Sequence, residues 1–173
     1  LNRATQTLRQ PGSSIKPLSV YSPAIEYGLV TPSTIVNDSK ISFGNWTPRN
    51  DDRRFLGRIT VRAALRGSRN IPAVKICDYI TPEASFDFLR DRYHISSLIE
   101  SDKRNGKVFT DIGLSQIALG GLTDGVTVLE MCAAYCVFPN GGTYITPSTY
   151  TKVLDSNGKV LLEHDKKGKI AIS

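Results

Sequence analysis

The sequence predicts an α+β chain in which helices dominate and strands come last. Three observations carry that reading. Helix-entry residues recur along it (Ser13, Thr60, Thr81 and Thr127), each ahead of apolar positions at helical spacing. Near the end, Asp155-Ser156-Asn157-Gly158 separates two strand-like runs, 149–154 and 159–162, which is the signature of a hairpin with Asn-Gly at its turn. The length of 173 residues, with 40% hydrophobic and 22% charged side chains, suits one domain or a large piece of one.

Each element has its own reason. Pro11-Gly12 breaks the chain, and Ser13 serves as N-cap or first-turn residue of a helix over 13–28. Its apolar series is Ile15, Leu18, Tyr21 and Ile25, with Pro23 bending it and Gly28 closing it. Residues 30–57 are rich in Pro, Asn, Asp and Ser without helical period, and read as a long surface loop. The apolar Ile35, Val36, Ile41, Phe43 and Trp46 argue that this loop is ordered. Thr60 caps a short helix over 61–66 that Gly67 ends, Ser68-Arg69-Asn70 turns, and Pro72 opens the next helix. Thr81-Pro82-Glu83 repeats that entry for a helix reaching about Tyr93. A polar stretch over 101–107 and a short segment over 115–121 follow. Thr127-Val128-Leu129-Glu130 is then a capping box whose helix stops at Pro139-Asn140-Gly141-Gly142.

Composition excludes several classes. The net charge of +6 favours an anionic surface, but the basic residues are scattered. The two denser stretches, 49–58 and 166–169, carry acids or lie at the tail, so no nucleic-acid partner is expected. The longest apolar run, 126–138, is interrupted by Glu130 and is too short to span a bilayer, so no membrane contact by this segment is expected. No signal peptide is read at the start. Cys77, Cys132 and Cys136 are expected to be small buried hydrophobes. With only His94 and His164 to help them, no metal and no cofactor is expected.

Ser13-Ser14-Ile15-Lys16 is the string that carries chemistry. A serine opening a helix puts a lysine three residues later on the same face, and an amine so held can serve as the base of the hydroxyl if burial lowers its pKa. Ser156-Asn157-Gly158-Lys159 fits the same pattern, but in a hairpin turn with no helix to align it. The second string is Ser68-Arg69-Asn70, a hydroxyl for proton relay and an amide for orientation.

Together with longer blocks, these strings resemble the transpeptidase domain of class A penicillin-binding proteins. The blocks are Asn2-Arg3-Ala4-Thr5, 9–17, Trp46-Thr47-Pro48-Arg49-Asn50, 64–70, Ala118-Leu119-Gly120-Gly121, 125–131 and 134–142. The resemblance implies the helical lobe of the penicillin-binding transpeptidase and serine β-lactamase-like fold, with a C-terminal β-hairpin and most of the central antiparallel sheet absent. It implies that residues 1–173 are the central part of one such domain, cut at both ends. It further implies a D,D-transpeptidase that cross-links peptidoglycan stem peptides, is acylated by β-lactams, and belongs to a bifunctional synthase anchored at the outer face of the cell membrane.

By position, Ser13 is then the nucleophile and Lys16 its base. Ser68 relays the proton, Asn70 positions substrate and Lys16, and Trp46 and Asn50 border the substrate cleft. The family's third motif, Lys-Thr/Ser-Gly, does not occur; Lys166-Lys167-Gly168 lacks the hydroxyl and is rejected. The remainder of the domain is therefore an expected partner, possibly as a separate chain, and the isolated chain is expected to be inactive. Two alternatives stand beside this reading: a non-catalytic penicillin-recognising module, and a serine β-lactamase, for which no deacylating glutamate is evident after Asn70.

Overall fold

The computed structural model describes residues 2–164 and 167–173. Its first helical segment changes pitch twice: a 3₁₀ turn at Gly12–Ile15, a π turn at Pro17–Tyr21, then α1 at Ser22–Glu26. Proline explains the sequence of pitches. Pro17 has no N–H to return to the Ser13 carbonyl, so that oxygen accepts from the Lys16 N–H instead, closing the tighter 3₁₀ ring. The Ser22 N–H then reaches back five residues to Pro17, the wide π register. The extra residue rotates the apolar face. Ile15, Leu18 and Tyr21 are buried as expected, but Ala24 is buried in place of Ile25, which is exposed.

Strands begin earlier than the sequence suggests. β1 (Ile35–Asp38) pairs antiparallel with β2 (Gly57–Thr60), so the expected 30–57 loop is really a strand and the connection to its partner. Thr60 caps α2 (Val61–Arg66), accepting from the Ala63 N–H at 3.1 Å. α3 (Asn70–Ile80) starts two residues before Pro72, which is its third residue rather than its first. α4 (Pro82–Asp91) follows, then β3 (Asp102–Arg104) and β4 (Lys107–Phe109), a hairpin over Asn105-Gly106 where only a polar stretch was expected. α5 (Leu114–Leu119) ends on left-handed Gly120. α6 (Val128–Cys136) opens on the Thr127/Glu130 capping box. β5 (Thr143–Tyr144) pairs with β8 (Lys169–Ile170), and β6 (Lys152–Leu154) with β7 (Val160–Glu163).

Among the described residues the strands form four separate two-stranded ladders and no central sheet. The core is helical. α3 lies in its middle, with Ile71, Ala73, Val74, Ile76 and Cys77 buried, and touches the first segment, α2, α4, α5 and β1. Full burial of one such aliphatic side chain contributes about 1.5–3 kcal/mol. Phe86, Phe88, Leu89, Tyr93, Ile95 and Ile117 belong to the same core. Cys77 is buried, its thiol pushed up to about 12 by desolvation, whereas Cys132 and Cys136 are exposed on α6, against expectation. The capping box fixes where α6 starts, but its buried face is Ala133, Ala134 and Val137, which turns both thiols outward.

Candidate active site

The turn that bears Ser13 is held from both sides. Arg9 exchanges two backbone hydrogen bonds with Val126, each 2.9 Å, and the Gly12 N–H donates to Gly120 O at 3.3 Å. Glycine is required at position 120: its φ is +74°, and a Cβ there would lie 2.2 Å from the Gly12 carbonyl oxygen. From α6, the Tyr135 hydroxyl donates to Ser14 O at 2.7 Å. Downstream, the Ser19 hydroxyl ties Ile15 O to Ile117 O. These ties leave Ser13 exposed on a fixed turn, with Ile15 and Lys16 turned inward.

Lys16 is 1% exposed and its Nζ faces four acceptors. It lies 2.6 Å from Asn70 Oδ1, 2.8 Å from Ser68 O, 3.0 Å from Ser13 Oγ and 3.2 Å from Ser68 Oγ. Desolvation lowers its pKa from 10.5 to about 8, opposed in part by the charge of Asp51. The four acceptors are of two kinds. Asn70 Oδ1 and Ser68 O are carbonyls and can only accept, so they take the two N–H bonds of a neutral amine. Its lone pair is then left for a hydroxyl, Ser13 or Ser68. Ser68 reaches this position with a left-handed backbone, φ +48°, a conformation uncommon outside glycine.

Behind this cluster lies a buried clamp. Asn50 is 3% exposed, and its amide is fully used. Its Oδ1 accepts from the Asn70 and Ile71 N–H groups at 2.9 and 3.2 Å, serving the otherwise unpaired first turn of α3. Its Nδ2 donates to Asp38 Oδ1 at 2.7 Å and to Arg54 O at 2.9 Å. Arg69, 7% exposed, points away from Lys16. Its Nε donates to fully buried Asp38 at 2.9 Å, its Nη1 to Asp52 at 2.8 Å, and its Nη2 to Arg54 O. The Asn70 side chain closes the ring, donating from Nδ2 to Arg49 O at 2.9 Å.

The structure therefore brings Ser13, Lys16, Ser68 and Asn70 together. Asn50 supports them from behind and also lines a cavity with Arg49 and Arg53. Trp46 is half-buried against Phe43, ring centroids 6.2 Å apart, and has no hydrogen bond or ring contact with the cluster. Asp38 and Arg69 went unrecognised in the sequence. Their available signal was an acid and a base with no periodic role, but nothing local joins residues 31 positions apart. Among the described residues no group of three His, Cys, Asp or Glu side chains is placed to hold a metal. The string Lys166-Lys167-Gly168 lies partly outside the described residues.

Comparison with known proteins identifies the family. The family model described as the penicillin-binding protein transpeptidase domain matches residues 1–173. Penicillin-binding protein 4 of Bacillus subtilis is 39% identical over 166 residues, covering 96% of this chain and 25% of the relative. Penicillin-binding protein 1A of Clostridium acetobutylicum is 37% identical over 186 residues, covering 99% and 21%. The crystal structure of penicillin-binding protein 1A from Haemophilus influenzae superposes with a TM-score of 0.77 at 35% identity, covering 97% of this chain and 24% of that one. The chain thus spans about a quarter or less of the length of these relatives. By its matched length, its identity to these relatives and its fold, the chain belongs to the penicillin-binding protein transpeptidase domain family.

Proposed function

We propose that this chain carries the acylating residues of a peptidoglycan D,D-transpeptidase. The carrying observation is the set of acceptors around Lys16: two carbonyls fix its N–H bonds and leave its lone pair for a hydroxyl. Neutral Lys16 takes the Ser13 proton as Ser13 Oγ bonds to the carbonyl carbon of the penultimate D-Ala of a stem peptide. The C–N bond to the terminal D-Ala then breaks, and the Ser68 hydroxyl, 3.2 Å from Nζ, passes the proton to the departing amine. The amine of a second stem peptide attacks the resulting ester and frees Ser13. Asn70 holds Lys16 and orients the stem peptide, while the Ser13 N–H supplies one oxyanion donor, a contribution of about 3 kcal/mol in acyl transfer. A β-lactam amide enters by the same first step.

The domain is completed by further polypeptide. The resemblance assigns the second oxyanion donor and the substrate-carboxylate contacts to the Lys-Thr/Ser-Gly motif, which does not occur in this sequence, so those groups are read as lying outside it. The parent is read as a bifunctional synthase at the outer face of the membrane; no helix among the described residues is long and apolar enough to cross one. Intact-mass spectrometry after incubation with a fluorescent penicillin tests the reading. The full-length polypeptide should gain one adduct at Ser13, and an adduct elsewhere, or none, refutes it. The isolated 173 residues should label little.

A further inference from the structure

The middle residue of Ser68-Arg69-Asn70 donates away from the reacting cluster, and its guanidinium is tied at three points. We infer that the buried Asp38–Arg69 pair is a positioning device for the base: it holds the tripeptide in the bend that keeps the Ser68 carbonyl and the Asn70 amide on Lys16. The inference rests on the acylation reading above and adds to it two positioning residues, Asp38 and Arg69.

The flanking residues are the ones that touch the base. Ser68 O, Ser68 Oγ and Asn70 Oδ1 lie 2.8, 3.2 and 2.6 Å from Lys16 Nζ. Between them Arg69 has extended backbone, φ −65° and ψ 127°, and its guanidinium donates to Asp38, Asp52 and Arg54 O. A tether on the middle residue therefore sets where both flanking groups point. The bend needs such a tether. Ser68 stands at φ +48°, where a residue with a Cβ is disfavoured, and such a conformation persists only where its surroundings hold it. The Ser68 and Arg69 N–H groups close the end of α2 on Leu65 O and Ala64 O, each at 2.9 Å. That fixes where the tripeptide leaves α2. Its entry into α3 is fixed by the clamp.

One carboxylate grips that entry twice. Asp38 is fully buried at the end of β1. Its Oδ2 accepts from Arg69 Nε at 2.9 Å and from the Leu56 N–H at 3.2 Å, and its Oδ1 accepts from Asn50 Nδ2 at 2.7 Å. Asn50 Oδ1 in turn accepts from the Asn70 N–H at 2.9 Å. Asp38 thus holds Arg69 directly and Asn70 through one amide. Burial keeps water from competing for these bonds, and charge-assisted bonds from a guanidinium fork are directional.

The test is penicillin acylation of Ser13 in the full-length polypeptide, with the melting temperature measured on the same samples. Asp38→Asn/Arg69→Gln removes both charges together, so no buried charge is left unpaired and the fold is kept. Acylation at pH 7 should fall about tenfold while the melting temperature stays within a few degrees of wild type. The midpoint of the pH profile should rise, because a loosened tripeptide lets water reach Lys16 and relieves its desolvation. Asp52→Asn cuts one of the three ties at a side chain that is 46% exposed, where folding is not at stake, and should slow acylation about twofold. Charge alone works the other way, since losing a negative group favours the neutral amine and speeds labelling at pH 7. A wild-type rate in the folded double variant overturns the inference, and so does an unchanged or faster rate in Asp52→Asn, which decides alone if the double variant unfolds. Absence of a Ser13 adduct in the wild type strikes the acylation reading itself, a result distinct from wild-type labelling of the variants.

Discussion

Raising the pH should accelerate acylation of Ser13, with a midpoint set by Lys16. With its pKa lowered to about 8, roughly one lysine in eleven is neutral at pH 7, half at pH 8 and about ten in eleven at pH 9. A rate limited by that base rises about tenfold from pH 7 to pH 9. At the ordinary value of 10.5 the neutral fraction at pH 7 falls about 300-fold, so burial supplies most of the usable base. Asp51 offers a second handle because its charge raises the Lys16 pKa. Asp51→Asn should move the limb to lower pH and increase the rate at pH 7. The assay is stopped-flow acylation of the full-length polypeptide by a fluorescent penicillin, at constant ionic strength from pH 6 to pH 10. A profile flat between pH 7 and 9, one centred above pH 10, or an upward shift in Asp51→Asn refutes the reasoning.

Further outcomes follow from the clamp and the turn. Asp38→Ala leaves the Arg69 guanidinium buried without its Asp38 contact and should cost about 3 kcal/mol in chemical denaturation; a loss under 1 kcal/mol contradicts the assigned clamp. Gly120→Ala forces a Cβ to within 2.2 Å of Gly12 O, and should lower both the melting temperature and the acylation rate together. Glu130 accepts from Ser96, Ser97 and Thr127. Burial raises its pKa, but those bonds outweigh burial and hold it below the ordinary 4.5. A depressed carboxyl stabilises the fold above its unfolded value and loses that contribution as pH falls through its folded value. Glu130→Gln should therefore be less stable than wild type at pH 7, with the gap narrowing below about pH 4 in urea titrations.

Local grammar was legible in the sequence, and tertiary pairing was not. Thr60, Thr127 and Asn157-Gly158 act through residues two to four positions away, so the caps and the final hairpin could be read directly. Asn105-Gly106 carries the same hairpin signal, but Asp102, Lys103, Arg104 and Lys107 hid the β pattern behind charge. β1 pairs with a strand about twenty residues away, and no local periodicity reports such a partner. Lys16 could be linked to Ser13 by helical spacing. Its meeting with Ser68 and Asn70 across 52 and 54 residues was legible only through resemblance. The clamp role of Asn50 was not legible, because its partner Asp38 lies twelve residues upstream.

The Ser68 carbonyl at 2.8 Å from Lys16 limits what a substitution there can remove. No codon change at position 68 can delete a main-chain oxygen, so a variant that loses the hydroxyl keeps this half of the amine's grip. What mutation can remove is the left-handed bend that aims the oxygen: at φ +48° proline cannot adopt it and valine or isoleucine adopts it poorly. A substitution at position 68 therefore acts through the backbone shape as well as through the side chain.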